Sequence, residues 1–219
     1  METKPFLTDF YDGQMMHWPW QGRHILAQYD ETSVVVYQAY RPAIARYAVA
    51  EQHFGGEFSF SRMSWIKPNF LWMMYRCGWA TKLDQERVLA VRLSRPGFDE
   101  ILRAAVPSSF DAARFASPQQ WQAAVDASTV RLQWDPDHDP SGQPLRRRAI
   151  QLGLRGATLA RYAREWIVDI RDITDFVAAG RAQLAAQDGL LVVAKEAVYV
   201  PADPHLALQL GLDPPGRPA

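Results

Sequence analysis

A single cysteine, Cys77, stands among 219 residues, and that scarcity removes two classes at once. A disulfide framework needs paired thiols, and a structural zinc site of the finger or ribbon kind needs two or more thiolates. The expectation is a protein of the reducing cytoplasm. Excess charge is missing too. Lys and Arg number 24, as do Asp and Glu, so no global field draws the chain to a polyanion, while a local basic groove stays possible. No run of about 18 apolar residues is free of charge, and the opening METKPFLTDFYDGQ has no apolar core of signal-peptide length, so nothing is expected to span or cross a membrane. The glycine-rich dinucleotide fingerprint, the P-loop, the HExxH zincin helix and the GxSxG nucleophile elbow are all absent. The five histidines, at 17, 24, 53, 138 and 205, never pair at helical ligand spacing, so no metal site of histidines is expected.

What is present is ordinary globular composition, 48% hydrophobic and 22% charged, enough for one domain. We place that domain over residues 1–200, with 201–219 a tail rich in turn formers whose end is partly disordered. Residues 1–22 read as a polar and aromatic lead-in. SVVVYQAY, Ser33 to Tyr40, is rich in β-branched and aromatic residues and predicts a central strand. Pro42 opens a helix that runs to Gly55-Gly56. Met63 to Trp65 predicts a short strand and Asn69 to Tyr75 a helix stopped by Gly78. Arg87 to Leu93 reads as a buried strand, and after Pro96-Gly97 a helix is expected from Asp99 to Val106. Ser117 before Pro118 marks a helix start through Val125. Strands follow over Thr129 to Trp134 and Leu145 to Leu154, with DPDHDPSGQP between them as an exposed loop. A helical turn or two over Leu159 to Trp166, a strand over Ile167 to Ile170, an Ala-rich helix from Phe176 to Ala186 that ends at Asp188-Gly189, and one or two strands in Leu190 to Val200 complete the domain. The sum is α+β.

The most informative stretch runs from Phe60 to Leu93, where Trp65, Trp72 and Trp79 lie among two Lys and four Arg. Aromatic faces stack on flat rings, and guanidinium and ammonium groups hold anions, so the segment reads as a binding surface for a nucleotide or nucleic acid. Arg62, Lys67 and Arg76 are expected to converge on phosphates, because Pro68 turns the chain between them. Of Tyr37 and Tyr40, on opposite faces of one strand, one packs in the core and the other, with Gln38, faces the site. In Arg146-Arg147-Arg148 alternate residues face opposite sides. Asp135, Asp137 and Asp139, with His138 between the last two, supply oxygens for a hard cation or simply cap a turn. Lys82-Leu83-Asp84-Gln85 matches only weakly the KxDG motif of nucleotidyl ligases, with Gln85 in place of Gly.

The stretches VVVYQAYRPAIARYAV, FSRMSWIKPNFLWMMYRCGWATKLDQERVLAVRL, VRLQWDP, RAIQLGLRG and REWIVDIRDIT resemble the domain-of-unknown-function 4291 family from about His24 to Asp175. The order of elements is also similar to the ADP-ribosyltransferase superfamily, whose members bind NAD in the cleft of a split mixed β-sheet with flanking helices. That resemblance implies a first strand bearing the cofactor-holding residue, here Tyr37, Gln38 or Tyr40 in place of His or Arg. It implies a second strand bearing Ser64 or Trp65 on the nicotinamide side, and a late strand with Gln151 where the family carries a catalytic Glu. An amide there accepts a hydrogen bond but brings no charge, so Glu165 or Glu86 would have to supply the carboxylate. Under this reading NAD is a substrate, Arg62 and Lys67 hold its diphosphate, Trp65 stacks on nicotinamide or adenine, Tyr37 and Gln38 fix a ribose, and Gln151 sits at the reacting carbon. The acceptor of ADP-ribose is a nucleic acid or a protein. The rival readings are a non-catalytic protein binding nucleotides or single-stranded nucleic acid and a hydrolase with a metal at Asp135 to Asp139.

Overall fold

A computed structural model of the chain describes residues 4–186 and 189–214. In chain order the elements are β1 (Thr8–Phe10), α1 (Tyr11–Met15), β2 (Gly22–Arg23), β3 (Leu26–Ala27), β4 (Ser33–Tyr40), α2 (Pro42–Glu51), β5 (Ser64–Ile66), α3 (Phe70–Cys77), β6 (Arg87–Ser94) and α4 (Arg95–Arg103). They continue with β7 (Ala105–Pro107), α5 (Pro118–Ala127), β8 (Val130–His138), β9 (Pro144–Leu154), α6 (Gly156–Arg164), β10 (Ile167–Asp172), α7 (Thr174–Ala186), β11 (Val192–Ala194), β12 (Ala197–Val198) and α8 (Pro204–Leu210). The architecture is α+β.

β4 and β6 lie at the centre because neither has a polar face. Val34 and Val36 of β4 and Leu89, Val91 and Leu93 of β6 feed one apolar core, while Val35, Tyr37, Val88 and Ala90 feed a second on the opposite side. With β10 they form a three-stranded antiparallel sheet in the order β10-β6-β4. The second sheet is mixed and is built around β9, which pairs antiparallel with β8 and β5 and parallel with β2, while β7 adds parallel to β8. Among the described residues the two sheets are paired at one place only. There Tyr37 and Lys67 exchange backbone hydrogen bonds, N–H of Tyr37 to O of Lys67 at 2.7 Å and the reverse at 3.3 Å.

Several expectations change. The lead-in is folded: β1 pairs with β11, and buried Gln14 and Trp18 take the backbone N–H and C=O of Glu196 at 2.7 and 2.9 Å. The expected loop from Asp135 begins as strand and is a loop only over 139–143, since β8 runs to His138 with a register shift after Pro136, and Asp137 turns inward to a buried arginine. Ala105 to Val106 is strand, not helix, because α4 starts four residues before the expected position. Ser94 caps it by accepting from Gly97 N at 3.3 Å, and Pro96 occupies its first turn, where a missing N–H costs nothing. The tail holds α8, capped by Asp203. The expected helix end at Asp188 and the final five residues of the tail lie outside the described residues.

Gly97 shows how tightly α4 is docked. A methyl group there would come within 2.5 Å of Cγ of buried Trp166, an indole that also carries the Arg161 guanidinium 4.4 Å from its ring centre. Gly97→Ala is expected to cost about 1–3 kcal/mol by overpacking despite alanine's better helix propensity, as a lower urea midpoint with unchanged m will show.

Candidate functional site

A concavity of about 640 Å³ opens beside the junction of the two sheets. Its walls come from the end of β4, the segment leading into β5, β5 itself, the last turn of α3 and the loop at Asp84-Gln85. Alternation along β4 turns Gln38 and Tyr40 toward it and Tyr37 away. β5 contributes Ser64, Trp65 and, just past its end, Lys67. Pro68 then breaks the strand, and Asn69 starts α3 at once by accepting from Trp72 N at 2.6 Å, which brings Arg76 round to the same cleft. Gly78 ends that helix in the left-handed conformation at φ 58°.

The polar floor is internally wired. Gln38 donates from Nε2 to Ser64 Oγ at 2.8 Å and to the Trp65 carbonyl at 3.1 Å, and its Oε1 accepts from Tyr162 at 2.5 Å. Tyr40 Oη and Ser64 Oγ share a hydrogen bond at 2.9 Å, and burial pushes the Tyr40 phenol well up. The amide of Gln38 is thus fully engaged and acts by fixing Ser64 and Tyr40. Trp65 lies over Gly153 of β9, where a Cβ would meet its ring at 3.0 Å and Met63 Sδ at 2.6 Å.

Cations dominate the cleft. At its rim Arg41 pairs with Glu57 at 2.6 Å, but Arg62, Lys67 and Arg76 form no ion pair with any described residue, and Asp84 is the one other carboxylate in the lining. Lys67 is 6% exposed and its ammonium makes no hydrogen bond among the described residues. Burial first, and then Arg76, lower its pKa to about 8, against a weaker pull from Cys77 and Asp135.

Six of the seven residues expected to bind a cofactor, Gln38, Tyr40, Arg62, Ser64, Trp65 and Lys67, therefore line one cleft. Tyr37 does not. Its ring is in the second core, edge-on to Phe70 at 5.5 Å. Gln151 does not line the cleft either. It faces Gln133 across β8 and β9, and its Nε2 is held by Asp135 Oδ2 at 2.7 Å. The two carboxylates considered as substitutes are also elsewhere: Glu165 pairs with Arg161 at 3.1 Å on the surface, and Glu86 accepts from Asp84 N at 3.0 Å outside the lining. Nor do the three indoles share a surface, since Trp72 stacks with Tyr75 and His138 and Trp79 packs on Gly180 and Phe70. Asp137, one of the supposed cation ligands, is consumed by Arg147. Sequence reasoning missed Arg41 and Glu57, and saw in Asp84 and Gln85 only a weak motif match and a turn. Arg41 had a signal, standing between a strand end and a helix-opening proline, whereas the others depend on how the loops fold back.

An α+β chain with a split pair of sheets and a cation-lined cleft at their junction is the class these features define. The family model described as domain of unknown function (DUF4291) matches residues 24–199, and the chain belongs to that family. The match runs past Asp175 to Tyr199 and so includes Glu196. No curated protein matches the chain.

Proposed function

We propose that the cleft binds NAD and that the protein is ADP-ribosyltransferase-like, passing ADP-ribose to a nucleic-acid or protein acceptor. The observation that carries the binding is Lys67. A lysine that is 6% exposed, whose ammonium has no acceptor among the described residues, crowded by Arg76 and with Arg62 in the same lining, suits an anion. A diphosphate supplies it, Trp65 offers a face for the adenine or nicotinamide ring, and the Tyr40–Ser64 pair offers hydroxyls to a ribose. The cleft volume suits a dinucleotide. In the transfer the bond between the ribose carbon and nicotinamide breaks with the electron pair leaving on nicotinamide, while the acceptor forms the new bond and gives up its proton. Asp84, unlike the Arg41-bound Glu57, is the cleft carboxylate without a cationic partner among the described residues, and to it we assign that proton. Gln151 keeps Asp135 in place rather than meeting the reacting carbon.

Calorimetric titration with NAD tests the binding, and incubation with labelled NAD and cell extract tests the transfer. Saturable binding that Arg62→Ala weakens, with nicotinamide release that Asp84→Asn abolishes, is the expected outcome. Absence of NAD binding at millimolar concentration sinks the reading. Binding of single-stranded oligonucleotides alone, with a steep salt dependence, transfers the cleft to the non-catalytic alternative.

The pH dependence has a defined sign. Lys67 holds an anion only when protonated, and its pKa in the empty cleft is about 8. NAD affinity is expected to be flat from pH 6.5 to 7.5 and to fall above pH 8 by up to about tenfold per pH unit. Proton uptake will accompany binding in that range, read as a buffer-dependent heat.

A further inference from the structure

We propose that a second concavity, separate from the cleft, binds a phosphoryl group. It has a volume of about 380 Å³ and is walled by Arg23, Arg114 and Arg148 together with Ser108, Asp111 and Trp134. Three elements deliver the arginines to one point. β2 runs parallel to β9 in a register that sets Arg23 directly opposite Arg148. The third arginine arrives over the bare Gly211 that ends α8, where an added methyl would come within 2.3 Å of Arg114 Nη2 and 3.0 Å of Arg23 Nη1. Like charges set side by side across strands repel, and among the described residues one carboxylate, Asp111, is all that forms an ion pair with any of the three. Asp111 is taken by Arg114 at 3.3 Å, and Asp213 spends its Oδ2 on the backbone N–H of Arg23 at 2.8 Å. Neither the Arg23 nor the Arg148 guanidinium forms an ion pair with a described residue. Burial first, and then the neighbouring Arg23, pull the pKa of Arg114 down against the opposing pull of Asp111, so one carboxylate does not offset the crowding of the cations.

Forked N–H donors from separate directions suit the tetrahedral oxygens of a phosphate better than a flat carboxylate, which one fork already satisfies. The chemistry recognised is therefore a phosphoryl oxyanion, whether of a small phosphate or of a nucleic-acid backbone, and Trp134 gives the site its reporter. Its indole N–H donates to the Leu210 carbonyl at 3.1 Å, at the end of the same helix.

The test is a titration of isotope-labelled protein with inorganic pyrophosphate and, separately, with a short oligothymidylate, following the Trp134 indole signal. It is run in wild type, Arg148→Gln, Arg23→Gln and Lys67→Met. We expect saturable shifts that weaken about tenfold in either arginine variant and persist in Lys67→Met, where the cleft is disabled. The arginine variants replace exposed side chains and are checked for an unchanged melting temperature. Oligothymidylate binding at least about tenfold tighter than pyrophosphate identifies a nucleic-acid strand as the source of the phosphate, and the reverse identifies a small ligand. Absence of a saturable shift with both probes at about 10 mM, or shifts indifferent to both arginine substitutions, overturns the proposal. Loss of NAD binding by Lys67→Met with the second site intact separates this inference from the reading of the cleft.

Discussion

Arg147→Met is expected to remove about 3–5 kcal/mol from the stability of the fold, because it leaves an ionisable partner buried alone. Arg147 and Asp137 are 4% and 1% exposed. Both Nε and Nη2 of the guanidinium reach Asp137 Oδ2 at 2.7 Å, Nη1 donates to the Pro19 carbonyl at 2.7 Å, and the group lies 5.3 Å from the centre of the Trp18 ring. A second buried carboxyl, Glu196, belongs to the same electrostatic cluster and accepts from Phe70 N at 2.7 Å. Burial pushes the pKa of Asp137 up and that of Glu196 well up, and Arg147 opposes both shifts. Without Arg147 the two carboxyls have no cation and must take up protons to stay inside. Folded pKa values raised above the unfolded ones mean that the folded chain binds the extra protons, so this contribution is full at low pH and is lost as pH rises. The deficit of the variant should therefore narrow between pH 7 and pH 5. For a chain of this size the melting temperature should drop by roughly 6–20 °C at neutral pH. Arg147→Met with Asp137→Leu should recover most of the loss, and a deficit below about 1 kcal/mol in the single variant would mean that the pair is wet.

Lys67→Met is expected to do the opposite to the fold and to disable the cleft. The side chain is held in a place where its charge is unwelcome, so methionine of similar length should raise stability by roughly 1–3 kcal/mol at pH 7. The linkage is specific. With a folded pKa of about 8 against 10.5 unfolded, the unfolded chain binds more protons between those values. Wild-type stability should thus climb from pH 8 toward pH 10 by up to about 1.4 kcal/mol per unit, and the variant should lose that slope. Meanwhile diphosphate binding should weaken on the order of 100-fold, the cost of a lost charge-assisted contact. Chemical denaturation across pH and calorimetry with NAD read the two effects. A variant that is destabilised, or that binds NAD as before, removes Lys67 from the centre of the argument.

Local chemistry made much of this fold readable before any coordinates. Ser33–Tyr40 forms as expected because β-branched and aromatic side chains suit a strand buried on both faces. Pro42, Ser117 and Gly78 sit where their backbone preferences put them, at two helix starts and one helix stop. What failed was non-local. Asp137 reads as a turn residue until Arg147, ten positions away, reaches across the hairpin to neutralise it. The lead-in looks polar because the groups that bury Gln14 and Trp18 come from residues 194 to 196. The cleft was half legible for the same reason. Strand alternation separates Tyr40 from Tyr37 and a proline turn unites Lys67 with Arg76, but the carboxylates Glu57 and Asp84 arrive on loops whose path no periodicity records. Strand order by analogy points to Gln151, but its own neighbour, Asp135, holds it away from the cleft.

The seam between the sheets gives Lys67 two duties. Its peptide N–H and C=O are the stitch to Tyr37, and its side chain lines the cleft. An anion bound there as proposed would bear on the residue that fastens one half of the protein to the other, making occupancy and cohesion two ends of one lever.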